Sequence, residues 1–237
     1  MATAQDFRVI QLQASDFTPQ LQIRATKVFG HLLSKYADQF DGNPTTLPNV
    51  QNIPREMPQL LLTSADNRLR LQVAPARLDV VREENPITDD GIADFQRLAT
   101  DLILDYLSVT QGKVGRVASI MGRIAPDPNP GRTLAEHFCQ EKWLRGPLNR
   151  PGDFELHAHK RFHLDALFEV NSWIRCKAAK LEKAGTEGPV SVILLEQDFN
   201  SLAEELDTRE INENEIRQFF AISPRALQEV VSLYFPA

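Results

Sequence analysis

A chain of 237 residues, 42% hydrophobic and 24% charged, has the composition of a folded globular protein, which excludes extended disorder, collagen and coiled coil. Its formal net charge of −6, from 26 basic against 32 acidic side chains, argues against a whole-surface nucleic-acid binder, because phosphate affinity needs clustered Lys and Arg. No stretch approaches the roughly 20 apolar residues of a membrane span, and the first residues carry neither the basic nor the apolar region of a signal peptide, so a cytoplasmic protein without membrane contact is expected.

Residues 7–12 suit a short first strand. Thr18 and Pro19 then read as N-cap and first helical position, opening a helix whose apolar stripe is Leu21, Ala25, Val28, Phe29, Leu32, Tyr36 and Phe40. Pro44, Pro48, Pro54 and Pro58 make residues 41–58 a long connecting loop. Residues 59–63 and 68–73 flank a polar turn and predict a hairpin, and 76–81 adds a third strand. Arg68, Arg70 and Arg77 are read as arginines on a solvated sheet face rather than as an anion site.

Thr88 with Asp89 and Asp90 predicts the capped start of a second helix, which carries Ile92, Phe95, Leu98, Ala99, Leu102, Ile103 and Tyr106 inward and stops at Gly112. Residues 113–125 predict a strand in which Gly115 and Gly122 allow bending or close packing; they have neither phosphate-loop nor dinucleotide-fold spacing. After a rigid connector at 126–131, Thr133 and Glu136 have capping-box spacing for a short helix to about Leu144, with His137 and Glu141 as an exposed pair. Cys139 and Cys176 lack CxxC spacing and sit in apolar-patterned segments, so buried reduced thiols are expected.

The most informative stretch is 153–177, which reads as one long hairpin with two unlike faces. Phe154, Leu156, Ala158, Phe162 and Leu164 alternate with Glu155, His157, His159, Arg161 and His163; the return strand alternates Phe168, Val170, Ser172, Ile174 and Cys176 with Glu169, Asn171, Trp173, Arg175 and Lys177. Three of the five histidines therefore share one face. A loop at 165–167 sets Glu155 opposite Lys177, His157 opposite Arg175, His159 opposite Trp173 and His163 opposite Glu169. A polar turn at 182–189 leads to residues 190–195, apolar enough to lie inside a sheet, followed by Glu196 and Asp198 on one side of the strand. Two helical stretches, 212–222 and 224–235, meet at Ser223 and Pro224, where the helix restarts or kinks.

This order predicts a single α+β domain over 1–237, mainly antiparallel sheet with a long hairpin, packed against several helices including a C-terminal one; any subdivision falls near 126–131. The segments 58–64, 68–73, 115–123 and 193–199, with Tyr234 and Phe235 at the end of the last helix, resemble a sporadically distributed family of uncharacterised bacterial proteins of about this length. Glu196, Gln197 and Asp198 stand where similar proteins carry an Asp-x-Asp pair, and Pro224 interrupts the terminal helix. The resemblance implies a mobile-element or defence-related setting and no known activity.

For chemistry, His157 and His159 on one strand face stand about 7 Å apart at Cα, which is metal-ligand spacing, but two ligands do not make a site. His163 lies about 13 Å beyond His159 along a straight strand, so a carboxylate such as Glu196 or Asp198 has to complete it. No nucleophile elbow or activated cysteine is present, and no cofactor is expected. The reading is a non-enzymatic interaction or adaptor protein whose partner-binding residues are His157, His159, Arg161, Trp173 and Arg175, and whose partner is a protein or a second copy. A metal-dependent hydrolase using His157 and His159 is the alternative, and RNA or single-stranded DNA binding by the same face is the third, resting on one aromatic, Trp173.

Overall fold

The alternating segments join one sheet. The computed structural model describes residues 2–19, 25–47, 54–165, 167–182 and 188–237. In chain order the elements are β1 (Arg8–Phe17), α1 (Ala25–Tyr36), β2 (Thr45–Thr46), β3 (Leu60–Thr63), β4 (Leu69–Ala74), β5 (Arg77–Glu83), α2 (Asp89–Thr110) and β6 (Arg116–Pro126). Then follow α3 (Pro130–Phe138), α4 (Glu141–Leu144), β7 (Glu155–Leu164), β8 (Phe168–Leu181), β9 (Val190–Ser201) and α5 (Glu213–Tyr234). The strands run in the order β2-β3-β4-β5-β1-β6-β9-β8-β7, with every neighbouring pair antiparallel. The fold is α+β, as expected.

One face of the sheet carries the core. Leu12 and Ala14 of β1, Leu71 and Val73 of β4, Leu78 and Val80 of β5, and Val117 and Met121 of β6 are buried together with Phe95, Ala99, Leu102, Ile103 and Tyr106 of α2. Val28 and Leu32 of α1 and Phe219, Phe220 and Leu227 of α5 complete that cluster. A second cluster at the other end joins Leu134 of α3, Ile174 and Cys176 of β8, Ile193 and Leu195 of β9, and Val231 and Phe235. Phe235 packs on Phe7 with ring centroids 4.7 Å apart, so the two ends of the described chain meet.

Several local expectations change. The first strand runs to Phe17 instead of stopping at Leu12, which places Asp16 in the core, fully buried, with both carboxylate oxygens unbonded among the described residues. Tyr106 and Thr18, also buried, likewise show unpaired hydroxyls there. The helix start at Thr18 and Pro19, with Leu21, runs into residues 20–24; these, Pro48 in the long loop, Ala166 in the hairpin loop and 183–187 in the polar turn lie outside the described residues.

The capping box at Thr133 and Glu136 is not used, because Pro130 occupies the first turn with Asn129 before it, so Pro130 and Gly131, the end of the connector at 126–131, become helix. That helix ends at Cys139 and restarts as the single turn α4. His137 bonds the Tyr234 carbonyl through Nε2 at 2.7 Å and stacks on Phe235, so it does not form an exposed pair with Glu141.

The caps of the long helices follow local chemistry. Thr88 accepts from the Gly91 N–H and caps α2, which ends on Gln111, held at φ 56°, one residue before Gly112. Asn212 and Glu215 form a capping box at the start of α5. That helix runs through Pro224 without restarting. Pro224 cannot donate to the Phe220 carbonyl, and the Ser223 hydroxyl turns back to Phe219 O at 2.7 Å and Phe220 O at 3.5 Å, partly replacing the lost bond.

Candidate functional site

With α1, α2, α3 and α5 all packed on one face, the opposite face of the sheet is left open among the described residues. The hairpin β7–β8 presents the expected side chains there in the expected register: Glu155 opposite Lys177, His157 opposite Arg175, His159 opposite Trp173 and His163 opposite Glu169. The next strand sets Glu196 beside Arg175 and Asp198 beside Trp173. Alternation alone explains this, since each of these positions is one residue away from a buried or half-buried one.

Trp173 is 45% exposed and stacks on the His159 ring with centroids 4.1 Å apart and planes 18° from parallel. His159 Nε2 lies 2.9 Å from Asn171 Oδ1, and Arg161 Nε donates to the same oxygen at 3.3 Å. From Asn171 the bonding passes to Asn200 Oδ1 (3.3 Å), and the Asn200 amide donates to Asp198 at 2.7 Å. A chain of polar groups thus crosses three strands and fixes the His159 ring beneath the indole.

On the outer side, His157 Nε2 lies 2.6 Å from Glu155 Oε1 and 3.1 Å from Arg175 Nε. The carboxylate only accepts, so the imidazole nitrogen donates to it, and Arg175 is then a neighbour of that nitrogen rather than a second donor to it. Glu155 is held below the usual carboxylate range, chiefly by the hydrogen bond from His157. Arg175 and Lys177 both approach Glu196, at 3.7 Å each. Arg161 reaches Glu204 at 2.7 Å, and that carboxyl too is lowered, first by its own backbone hydrogen bond and then by Arg161.

The face continues across the middle of the sheet. Asp79 accepts from Ser15 (2.5 Å), Gln13 (3.0 Å) and Arg77 Nε (2.7 Å), while Arg77 and Arg116 each lie 4.8 Å from the centroid of the Phe17 ring. The arginines read earlier as a solvated face are each paired: Arg68 with Glu84, Arg70 with Glu83, Arg77 with Asp79.

His157 and His159 therefore turn to different partners, and among the described residues no group of three or more His, Cys, Asp and Glu side chains is placed to hold a metal. His163 stays at the far end of β7, opposite Glu169, and Glu196 and Asp198 face Arg175 and Trp173. Sequence reasoning placed Asn171 on this face but missed Asn200 and Glu204 as parts of it. The strand parity of Asn171 was legible, but its meeting with Asn200 depends on the β8–β9 register, which no local turn sets. No protein-family model matches the chain, and no curated protein matches it in sequence.

Proposed function

We propose that the chain is a non-enzymatic interaction protein that binds a protein partner over the open face of β7, β8 and β9, with Trp173 as the anchor. The observation that supports this most directly is an exposed indole, immobilised on His159, with Asp198 beside it on the next strand and Arg161, Arg175 and Glu196 on the same face. A rigid aromatic surrounded by polar groups is the composition of an interface hot spot, because its apolar area is buried on binding at little entropic cost.

The charges favour protein over nucleic acid. Arg161, Arg175 and Lys177 each have a carboxylate within 4 Å, so phosphates would have to displace Glu204 and Glu196. Alternating signs suit the rim of a protein interface.

The test compares tagged wild-type chain with Trp173→Ala in co-purification quantified by mass spectrometry. The stack on His159 contributes about 1 kcal/mol to the monomer, so the variant stays folded while partner occupancy falls about 30-fold, corresponding to about 2 kcal/mol. A folded variant that retains its partner at wild-type occupancy refutes the reading. Stoichiometric zinc or manganese, lost in a His157→Ala, His159→Ala double variant, would replace it with the hydrolase alternative.

A further inference from the structure

On the helix-covered face, β6 sends Val117, Ser119, Met121, Arg123 and Ala125 inward by alternation, all of them buried. Four are apolar or small, and the fifth is a guanidinium 4% exposed. Arg123 Nε donates to Gln197 Oε1 at 3.1 Å, and Gln197 Nε2 donates in turn to the Leu227 carbonyl of α5 at 2.7 Å. This tether fixes the plane of the guanidinium. Its two terminal nitrogens make no hydrogen bond among the described residues, and no carboxylate there is within ion-pairing distance.

A buried cation without a counter-ion is costly. Burial pulls the Arg123 pKa down to about 10, against a distant pull upward from Asp89, so the group stays charged at neutral pH. Three neighbouring arginines differ: Arg97 is paired with Asp94, Arg217 with Glu213 and Arg225 with Glu229.

Arg123 lines a cleft of about 1140 Å³ between α2, α5 and the start of β1, large enough for a small-molecule ligand. Its walls include Phe7, Ile87, Ile92, Met121 and Ala221. Gln96 of α2 lines the same cleft, is only 7% exposed, and its side-chain Oε1 is buried without a hydrogen bond among the described residues. A guanidinium 4% exposed and without a paired carboxylate, and an amide whose oxygen is buried unbonded, thus meet one cleft, and native interiors rarely leave such groups without a partner.

We propose that this cleft is a binding site for a small organic carboxylate with an apolar body. The two carboxylate oxygens take parallel N–H bonds from the free edge of Arg123, and the hydrocarbon lies against Phe7, Ile92 and Met121. One guanidinium edge matches the charge and geometry of a single carboxylate. A phosphate dianion carries twice the charge of Arg123 and has no apolar body to lie against Phe7, Ile92 and Met121. The site lies on the opposite face from the Trp173 surface and does not depend on it.

Isothermal titration calorimetry on the full chain at pH 7 tests this with three probes: decanoate, decanol and inorganic phosphate. Decanoate is expected to bind at least tenfold more tightly than decanol, with phosphate showing no binding. Arg123→Met, which keeps the stem and removes the charge, lowers decanoate affinity at least tenfold and leaves decanol unchanged. Ala221→Trp fills the cleft from its exposed rim and abolishes binding of both, which carries the test alone if Arg123→Met does not fold. Equal affinities for decanoate and decanol, no decanoate binding up to millimolar concentration, or decanoate binding that survives Ala221→Trp each overturn the proposal. Phosphate binding as tight as decanoate overturns the assignment to a carboxylate.

Discussion

Replacing Asp16 by Asn should stabilise the protein, and by an amount that grows with pH. Asp16 is fully enclosed between β1 and α2, and burial first, then the nearby Asp79 carboxylate, raise its carboxyl well above the usual 3.8, while Arg77 acts in the opposite direction. A folded-state pKa raised above the unfolded one leaves stability intact below pH 3.8 and removes it as pH rises toward the folded value. The loss is at most about 1.4 kcal/mol per pH unit, so its ceiling between pH 3.8 and pH 7 is about 4 kcal/mol. Asn has the same shape and does not titrate. Urea unfolding of wild type and Asp16→Asn at matched pH values isolates this group, because every other titration cancels in the difference. The variant should gain nothing near pH 3.8 and progressively more up to pH 7. A difference that is flat with pH, or that favours the wild type at pH 7, would show that Asp16 is ionised and satisfied, and the reasoning would fail.

Gly115→Ala should abolish folding or cost more than about 4 kcal/mol, since a Cβ there would stand 1.8 Å from the Leu206 carbonyl oxygen; a thermal melt within a few degrees of wild type would contradict that packing. The two thiols should differ sharply toward a maleimide at pH 8. Cys176 is buried and its pKa is pushed up to about 12 by desolvation, so half-buried Cys139 should label first and Cys176 only on unfolding, as peptide mapping would show.

Legibility varied along the chain for identifiable reasons. The β7–β8 register could be read because a three-residue loop and an unbroken alternation leave one pairing that buries Leu164 and Phe168 together. The end of β1 could not, because Asp16 breaks the polarity pattern at an inward position and, beside Thr18 and Pro19, looks like the approach to a helix. At α3 two N-terminal signals competed, and Pro130, with its fixed φ, prevailed over the downstream Thr133. The pairing of Arg68, Arg70 and Arg77 with acids depends on neighbours across the sheet, which composition does not disclose. Arg123 shares strand parity with Val117 and Met121, so a strand over 113–125 implies an inward arginine.

The position of β1 bears on how the chain is assembled in time. The first strand in sequence lies in the middle of the sheet, where Ser15 faces Asp79 on one side and Ala118 on the other. The outer strands belong to local hairpins, β3–β4–β5 and β7–β8–β9, which close short loops and form quickly. β1 has to wait for partners far along the chain, and β6 in turn waits for β9, pairing Ser119 with Phe199. Joining of the two hairpin groups across β1 and β6 is then the slow, high-contact-order event of folding. During synthesis β1 leaves the ribosome well before either neighbour and stays unpaired until they follow. In that interval its inward row, with Leu12 and Ala14, is open to association with other chains.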